Sequence, residues 1–223
     1  MDTFRTPARG TTLRTCRLIA CAAALTLTIS GASLAHADDA RDVVPPAVPT
    51  PLQVPAGNSP FLVGHAAGTQ DYICLPSGAG FAWTFFGPQA TLLDDNDEQI
   101  ITHFLSPNPL ESGKPRPTWQ DSRDTSAVWG NAVATSTDSA FVAPGAIPWL
   151  LLQVVGSQSG PTAGDALTKT TFIQRLNTFG GVAPTTGCAA STDVGSKALV
   201  PYTANYFFYQ ADQKSHRRGH HDN

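Results

Sequence analysis

A chain of 223 residues that is 41% hydrophobic, 14% charged and −3 in net charge has the material for one good core and is short for two. Its acidic balance argues against a nucleic-acid partner, whose phosphates need clustered Lys and Arg.

The N-terminus reads as a leader. Arg5, Arg9, Arg14 and Arg17 form a basic region, and residues 18–29 (LIACAAALTLTI) an apolar stretch too short to span a bilayer comfortably. Ala35-His36-Ala37 then supplies a small-x-small cleavage pattern. The expectation is a signal peptide over 1–37, cleaved after Ala37, and a secreted or periplasmic protein. Leu18-Ile19-Ala20-Cys21 has the outline of a lipoprotein box, but its apolar stretch follows the cysteine, so no lipid is expected at Cys21. No Arg-Arg pair precedes that stretch, which favours the general secretory route. Cleavage takes four arginines and Asp2 from 14 basic and 17 acidic residues, leaving 10 against 16, a net −6. No later apolar run reaches membrane-spanning length.

Cys16 and Cys21 leave with the leader, so Cys74 and Cys188 remain as one pair. In an oxidising compartment a disulfide is expected, two buried free thiols being the alternative. Two cysteines make no zinc site, and no cofactor is expected.

Residues 38–59 are Pro-rich, which removes ladder donors and favours extended backbone, so they read as a linker or as a strap over the domain. From 60 to 210 short β-branched and aromatic runs alternate with Gly, Pro, Asp and Asn: 61–66, 69–75, 80–86, 89–93, 99–104, 127–135, 147–155, 170–177 and 199–209. This predicts a single all-β domain, an antiparallel sandwich or barrel with at most short helices. A helix stays open over 165–177, where Ala166, Leu167 and Leu176 could share a helical face. The acidic run 94–98 (DDNDE) lacks the glycine of an EF-hand loop and reads as a hairpin turn. The prolines of 106–117 (SPNPLESGKPRP) predict an unpaired loop. The tail 211–223, with His216, His220 and His221, has no apolar anchor and reads as solvated and disordered.

Motifs for chemistry are sparse. Gly156-Ser157-Gln158-Ser159-Gly160 places Gln158 where a nucleophile elbow needs serine, HExxH is absent, and Gly78-Ala79-Gly80 lacks a dinucleotide fingerprint. His65 and His103 are the two histidines within the domain and candidates for acid–base or metal chemistry. Trp119 and Asp121 could form a rim beside His103; Asp121 could equally be a turn residue pairing with Arg123. On a strand, Arg175 and Asn177 share a face and, with Gln174 nearby, could hold an anionic or hydroxylated group; alternatively Arg175 bonds carbonyls within the fold. Exposed Trp83, Trp119, Trp129 or Trp149, or the tyrosines of 202–209, would suit glycan stacking. In NYFFYQ, Tyr206 and Phe208 fall on one face and Phe207 and Tyr209 on the other.

Five strings in consistent order carry a family resemblance: 68–74 (GTQDYIC), 88–94 (PQATLLD), 148–152 (PWLLL), 173–178 (IQRLNT) with Gly180-Gly181 and Pro184, and 201–204 (PYTA). Together they resemble the uncharacterised secreted proteins of domain-of-unknown-function family 3455, over about 54–210. Glu98 stands where that family's hairpin has a glycine, which bears on the turn alone. The resemblance implies an exported single domain and brings no catalytic residues. Some relatives carry a malate-dehydrogenase label, for which the absent dinucleotide fingerprint gives no support. Two functions follow as expectations. One is a binding or structural module for a small ligand, glycan or surface partner, using Arg175, Asn177, Gln174 and Trp119. The other is a metal-dependent or acid–base hydrolase using His103, Asp121 and His65.

Overall fold

The protein is seen in a computed structural model that describes residues 42–213. The leader 1–37 and the tail histidines lie outside the described residues.

Eight antiparallel strands follow one another around a closed barrel: β1 (Asn58–Ser77), β2 (Gly80–Leu93), β3 (Gln99–Asn108), β4 (Lys114–Asp121), β5 (Ala127–Ser136), β6 (Trp149–Gln158), β7 (Thr170–Gly180) and β8 (Lys197–Ala211). Three single turns of 3-10 helix, Thr50–Leu52, Pro109–Glu111 and Ser191–Asp193, are the helical elements among the described residues. The fold is therefore all-β and, of the two architectures left open, the barrel. Its closure is the long β1–β8 pairing, which runs from Asn58 opposite Ala211 to Ile73 opposite Lys197. Thr170 onward is strand, which removes the helical alternative there.

Two breaks expected between strands are wholly or partly ladder instead. β1 runs through Gly68, where an added Cβ would sit 2.0 Å from the Gln89 carbonyl oxygen; the glycine lets β1 and β2 approach, and it does not end the strand. Of residues 106–117, expected as a loop, 106–108 extend β3 and 114–117 extend β4, with Pro107 opposite Pro115 and Leu105 opposite Pro117, and 109–113 form the turn between them. Here β3 has left β2, whose pairing with it spans Gln89–Leu93, and β4 pairs with β5 at Thr118–Gln120. Each proline thus lies where its strand has one neighbour, and the missing N–H costs no bond on the open side. The 94–98 run is a turn: Asp94 Oδ1 accepts from the Asn96 and Glu98 N–H groups, and Asp97 takes a left-handed φ of 63°.

Alternation along the strands builds two cores. Leu92, Ile101, Val128, Ile173, Tyr206 and Phe208 fill the barrel interior, and Leu167, from the β6–β7 loop, is buried in the same cluster. That loop is held to the β4–β5 turn: the Leu167 N–H donates to Ser126 Oγ and the Ala166 N–H to Asp124 Oδ2. The second core lies outside the barrel. Trp149, Leu151, Leu176, Phe207 and Tyr209 pack under Leu52, with Val43, Val48 and Val54 against them. The Pro-rich segment is thus a strap, tied by Gln174, whose Nε2 donates to the Leu52 carbonyl while its Oε1 accepts from Tyr209 O–H. Residues Tyr206 to Tyr209 are buried on both faces for this reason, one set in the lumen and the other beneath the strap.

Cys74 and Cys188 form a disulfide, with Cα atoms 5.5 Å apart, linking β1 to the β7–β8 loop. The same loop receives the Trp83 indole, whose Nε1 donates to the Thr186 carbonyl. It therefore lies over the end of the barrel to which the β1–β2 and β3–β4 hairpins also point.

Candidate functional site

At that end the lumen is unfilled. A cavity of about 330 Å³ opens there, above a floor of three rings. His103 of β3 stacks on Trp119 of β4 at 4.3 Å and 12°, directly across the strand pair, and Tyr206 of β8 meets them at 5.1 and 5.6 Å. Gly130 of β5 makes room for the indole: a Cβ there would sit 2.9 Å from it. The walls are Tyr72, Phe85, Pro88, Pro117, Pro148, Leu150 and Leu152, and the polar members are Gln70 and Arg175.

The polar groups of this cavity are unusual. Gln70 Nε2, Trp119 Nε1 and Arg175 Nε are buried nitrogens with no hydrogen-bond partner, and all three side chains line it. A buried donor left unpaired costs about 1–3 kcal/mol; all three of these nitrogens are closed to the open space of the cavity and face packed side chains. The fourth such nitrogen among the described residues, Trp149 Nε1, belongs to the core beneath the strap. Arg175 is tied into the fold, Nη2 donating to the Pro148 carbonyl at 2.9 Å and the guanidinium also bonding the Tyr206 side chain, as the Gln70 amide bonds that of Tyr202. Tyr72 O–H donates to the Gly181 carbonyl at 2.7 Å and so fixes the rim to the β7–β8 loop. Deeper, the hydroxyls of Tyr202 and Tyr206 lie 3.2 Å apart, and burial pushes both phenols well above their ordinary range.

His103 is neutral. Burial, with the Arg175 charge nearby, holds its pKa down at about 3, against the raising effect of its bond to the Thr118 carbonyl. That 2.8 Å bond requires Nδ1 to carry the proton.

The structure brings together three of the residues picked from sequence, His103, Trp119 and Arg175, and disperses the rest. Asp121 caps a turn, its Oδ1 accepting from the Arg123 and Asp124 N–H groups. His65 is on the outer surface, between Asn205 Oδ1 and Asp95 Oδ1, each at 2.9 Å, and these bonds raise its pKa. Gln174 faces the strap. Asn177 is exposed at φ 52° in a bulge between Leu176 and Phe179, so plain alternation fails there and it does not join Arg175. Trp119, Trp129 and Trp149 are buried and Trp83 is half-buried, so the indoles form no exposed platform. Gln70 was missed; an amide on the inward face of an otherwise apolar alternation is the signal that could have found it.

A wider hollow of about 550 Å³ lies where β2 parts from β3, between Phe86, Gly87 and Leu105, and shares Pro88 and His103 with the lumen. Its one charged lining residue, Asp71, already accepts from Thr69 Oγ1 at 2.6 Å. No group of three His, Cys, Asp or Glu side chains suited to a metal occurs among the described residues, and no helix there is long and apolar enough to cross a membrane.

No curated protein and no solved structure matches the chain. A family model described as "Protein of unknown function (DUF3455)" matches residues 55–210, which span all eight strands but for the outermost residue of β8, and the chain belongs to that family.

Proposed function

We propose that this member of a family of unknown function is an exported, non-enzymatic barrel that binds a small molecule in its lumen. The observation that carries the reading is the cavity itself, about 330 Å³ in the lumen, walled by aromatic rings, prolines and leucines with Arg175 as its one charged side chain. A concave, largely apolar pocket with a few polar groups is where a small molecule binds. The leader features and the Cys74–Cys188 disulfide support export, since such bonds persist in oxidising compartments. The hydrolase reading has less support: His103 and Asp121 are each committed to other partners, and His65 is on the outside.

The test uses 1-aminoanthracene, a neutral, flat fluorophore that brightens in apolar surroundings. Wild-type protein is expected to enhance its emission saturably, and Leu150→Trp, which fills the cavity from β6, to lose at least nine-tenths of that enhancement while staying folded. Equal enhancement by both proteins, or none by either, sinks lumen binding.

A further inference from the structure

We propose that the open edge of β2 is a self-association site, where a second copy of this chain pairs its own β2 antiparallel to the first about a two-fold axis. The ladder of β2 with β3 begins at Gln89, so the stretch Gly80–Gly87 pairs with β1 on one side and with no strand on the other among the described residues. Every second residue of such an edge turns its N–H and C=O away from the sheet, a ready template for a further strand. The hollow of about 550 Å³ at the foot of the gap, between Phe86, Gly87 and Leu105, leaves that side of β2 uncrowded.

The neighbouring hairpin shows a blunted edge for comparison. Where it leaves β2, the β3–β4 hairpin carries Pro107, Lys114, Pro115, Arg116 and Pro117. Prolines offer no donor to an added strand, and a charge resists the desolvation that pairing requires. From 80 to 87, β2 reads GFAWTFFG, with neither charge nor proline. Thr84, Phe85 and Phe86 are exposed in succession. Beside them Lys197 is engaged over the Phe86 ring, at 5.3 Å from its centre. Aromatic, uncharged β-formers on a bare edge favour pairing over solvation.

The partner is a second copy because both the strand and the charge distribution are self-complementary. An uncharged edge meets itself without like charges opposed, and a two-fold axis lets one patch serve on both subunits. Antiparallel β2 strands send the two barrels in opposite directions. The far-end turns, with Asp94, Asp95, Asp97, Glu98, Asp121 and Asp124 against Arg123, are then carried away from each other.

Sedimentation velocity of the oxidised protein, in a series up to about 100 µM, is expected to show a reversible dimer. The amides of 80–87 should exchange more slowly with deuterium as the dimer fills. Thr84→Lys sets two cations against each other across the axis and should leave only monomer, as should Thr84→Glu; an equal mixture of the two should recover a dimer containing one of each. Near-UV circular dichroism establishes that both are folded, and Thr84→Glu alone carries the test if Thr84→Lys is not. Wild type that is monomeric throughout overturns self-pairing, and slow exchange at 80–87 in that monomer would assign the edge to cover from within the chain. A dimer that survives either substitution uses another face and overturns it as well, and so does a mixture that stays monomeric.

Discussion

His103 shows how much a single side chain's role depends on what surrounds it. The sequence makes it a candidate acid or base; burial between Trp119 and Tyr206 makes it a neutral ring in an aromatic floor. That neutrality has a sign in stability. The unfolded imidazole titrates near 6.5 and the folded one near 3, so between these values the unfolded chain binds the extra proton and stability falls as pH falls. The range from 4.5 to 6.5 isolates the effect. His65, whose pKa is raised, acts above 6.5 with the opposite sign, and Glu111, held at about 2 by Arg116, acts below 4.5. Urea unfolding of wild type over that range is expected to lose about 1.4 kcal/mol per pH unit more than His103→Phe. Parallel slopes for the two proteins would mean the ring is charged in the fold, and the floor of the cavity would need another account.

At the level of elements, strand alternation is legible locally except at the Leu176–Phe179 bulge, and what depends on distant partners is not. The NYFFYQ alternation assigns Tyr206 with Phe208 and Phe207 with Tyr209 to opposite faces, as found, but cannot say that the cover is the chain's own Pro-rich segment, far earlier in the chain around Leu52. Pro107 and Pro115 argue against a ladder only if both edges of their strands are paired, a condition fixed by where β2 departs from β3. Gln174 is a candidate binding residue in the sequence as the polar neighbour of Arg175 and Asn177; in the fold its amide serves the strap. Its amide satisfies the Leu52 carbonyl and the Tyr209 hydroxyl at once, both buried. Gln174→Leu keeps the volume and strands both partners, so it should lower stability by roughly 2–4 kcal/mol in denaturant titrations. Tyr209→Phe, which leaves only Gln174 Oε1 unpaired, should cost about half as much. If Gln174→Leu is as stable as wild type, the strap is not held by this amide.

For the whole molecule the decisive event is closure, which no local pattern announces. A sandwich and a barrel need the same strands; they differ in whether β1 finds β8, and that pairing joins residues as far apart as Asn58 and Ala211. Contacts of such separation are slow to form, because loop-closure entropy is lost before they contribute. The disulfide acts on this step. Cys74 lies near the end of β1, its N–H bonds the Ser196 carbonyl just before β8, and its partner Cys188 is 114 residues away in the β7–β8 loop. In the oxidised unfolded chain the two closing strands are already neighbours. Closing a loop of that length should stabilise the fold by roughly 4–5 kcal/mol in the chain-entropy model, and Cys74→Ala with Cys188→Ala should lose about that much. The division of the loss between rates then tests where closure falls on the folding path. If β1–β8 pairing is formed in the transition state, most of the deficit appears as slower refolding and little as faster unfolding. Stopped-flow refolding of the oxidised protein and the double variant measures both limbs. A deficit confined to unfolding would place closure after the rate-limiting step, with the β2–β7 meander forming first and the strands at its two ends meeting last.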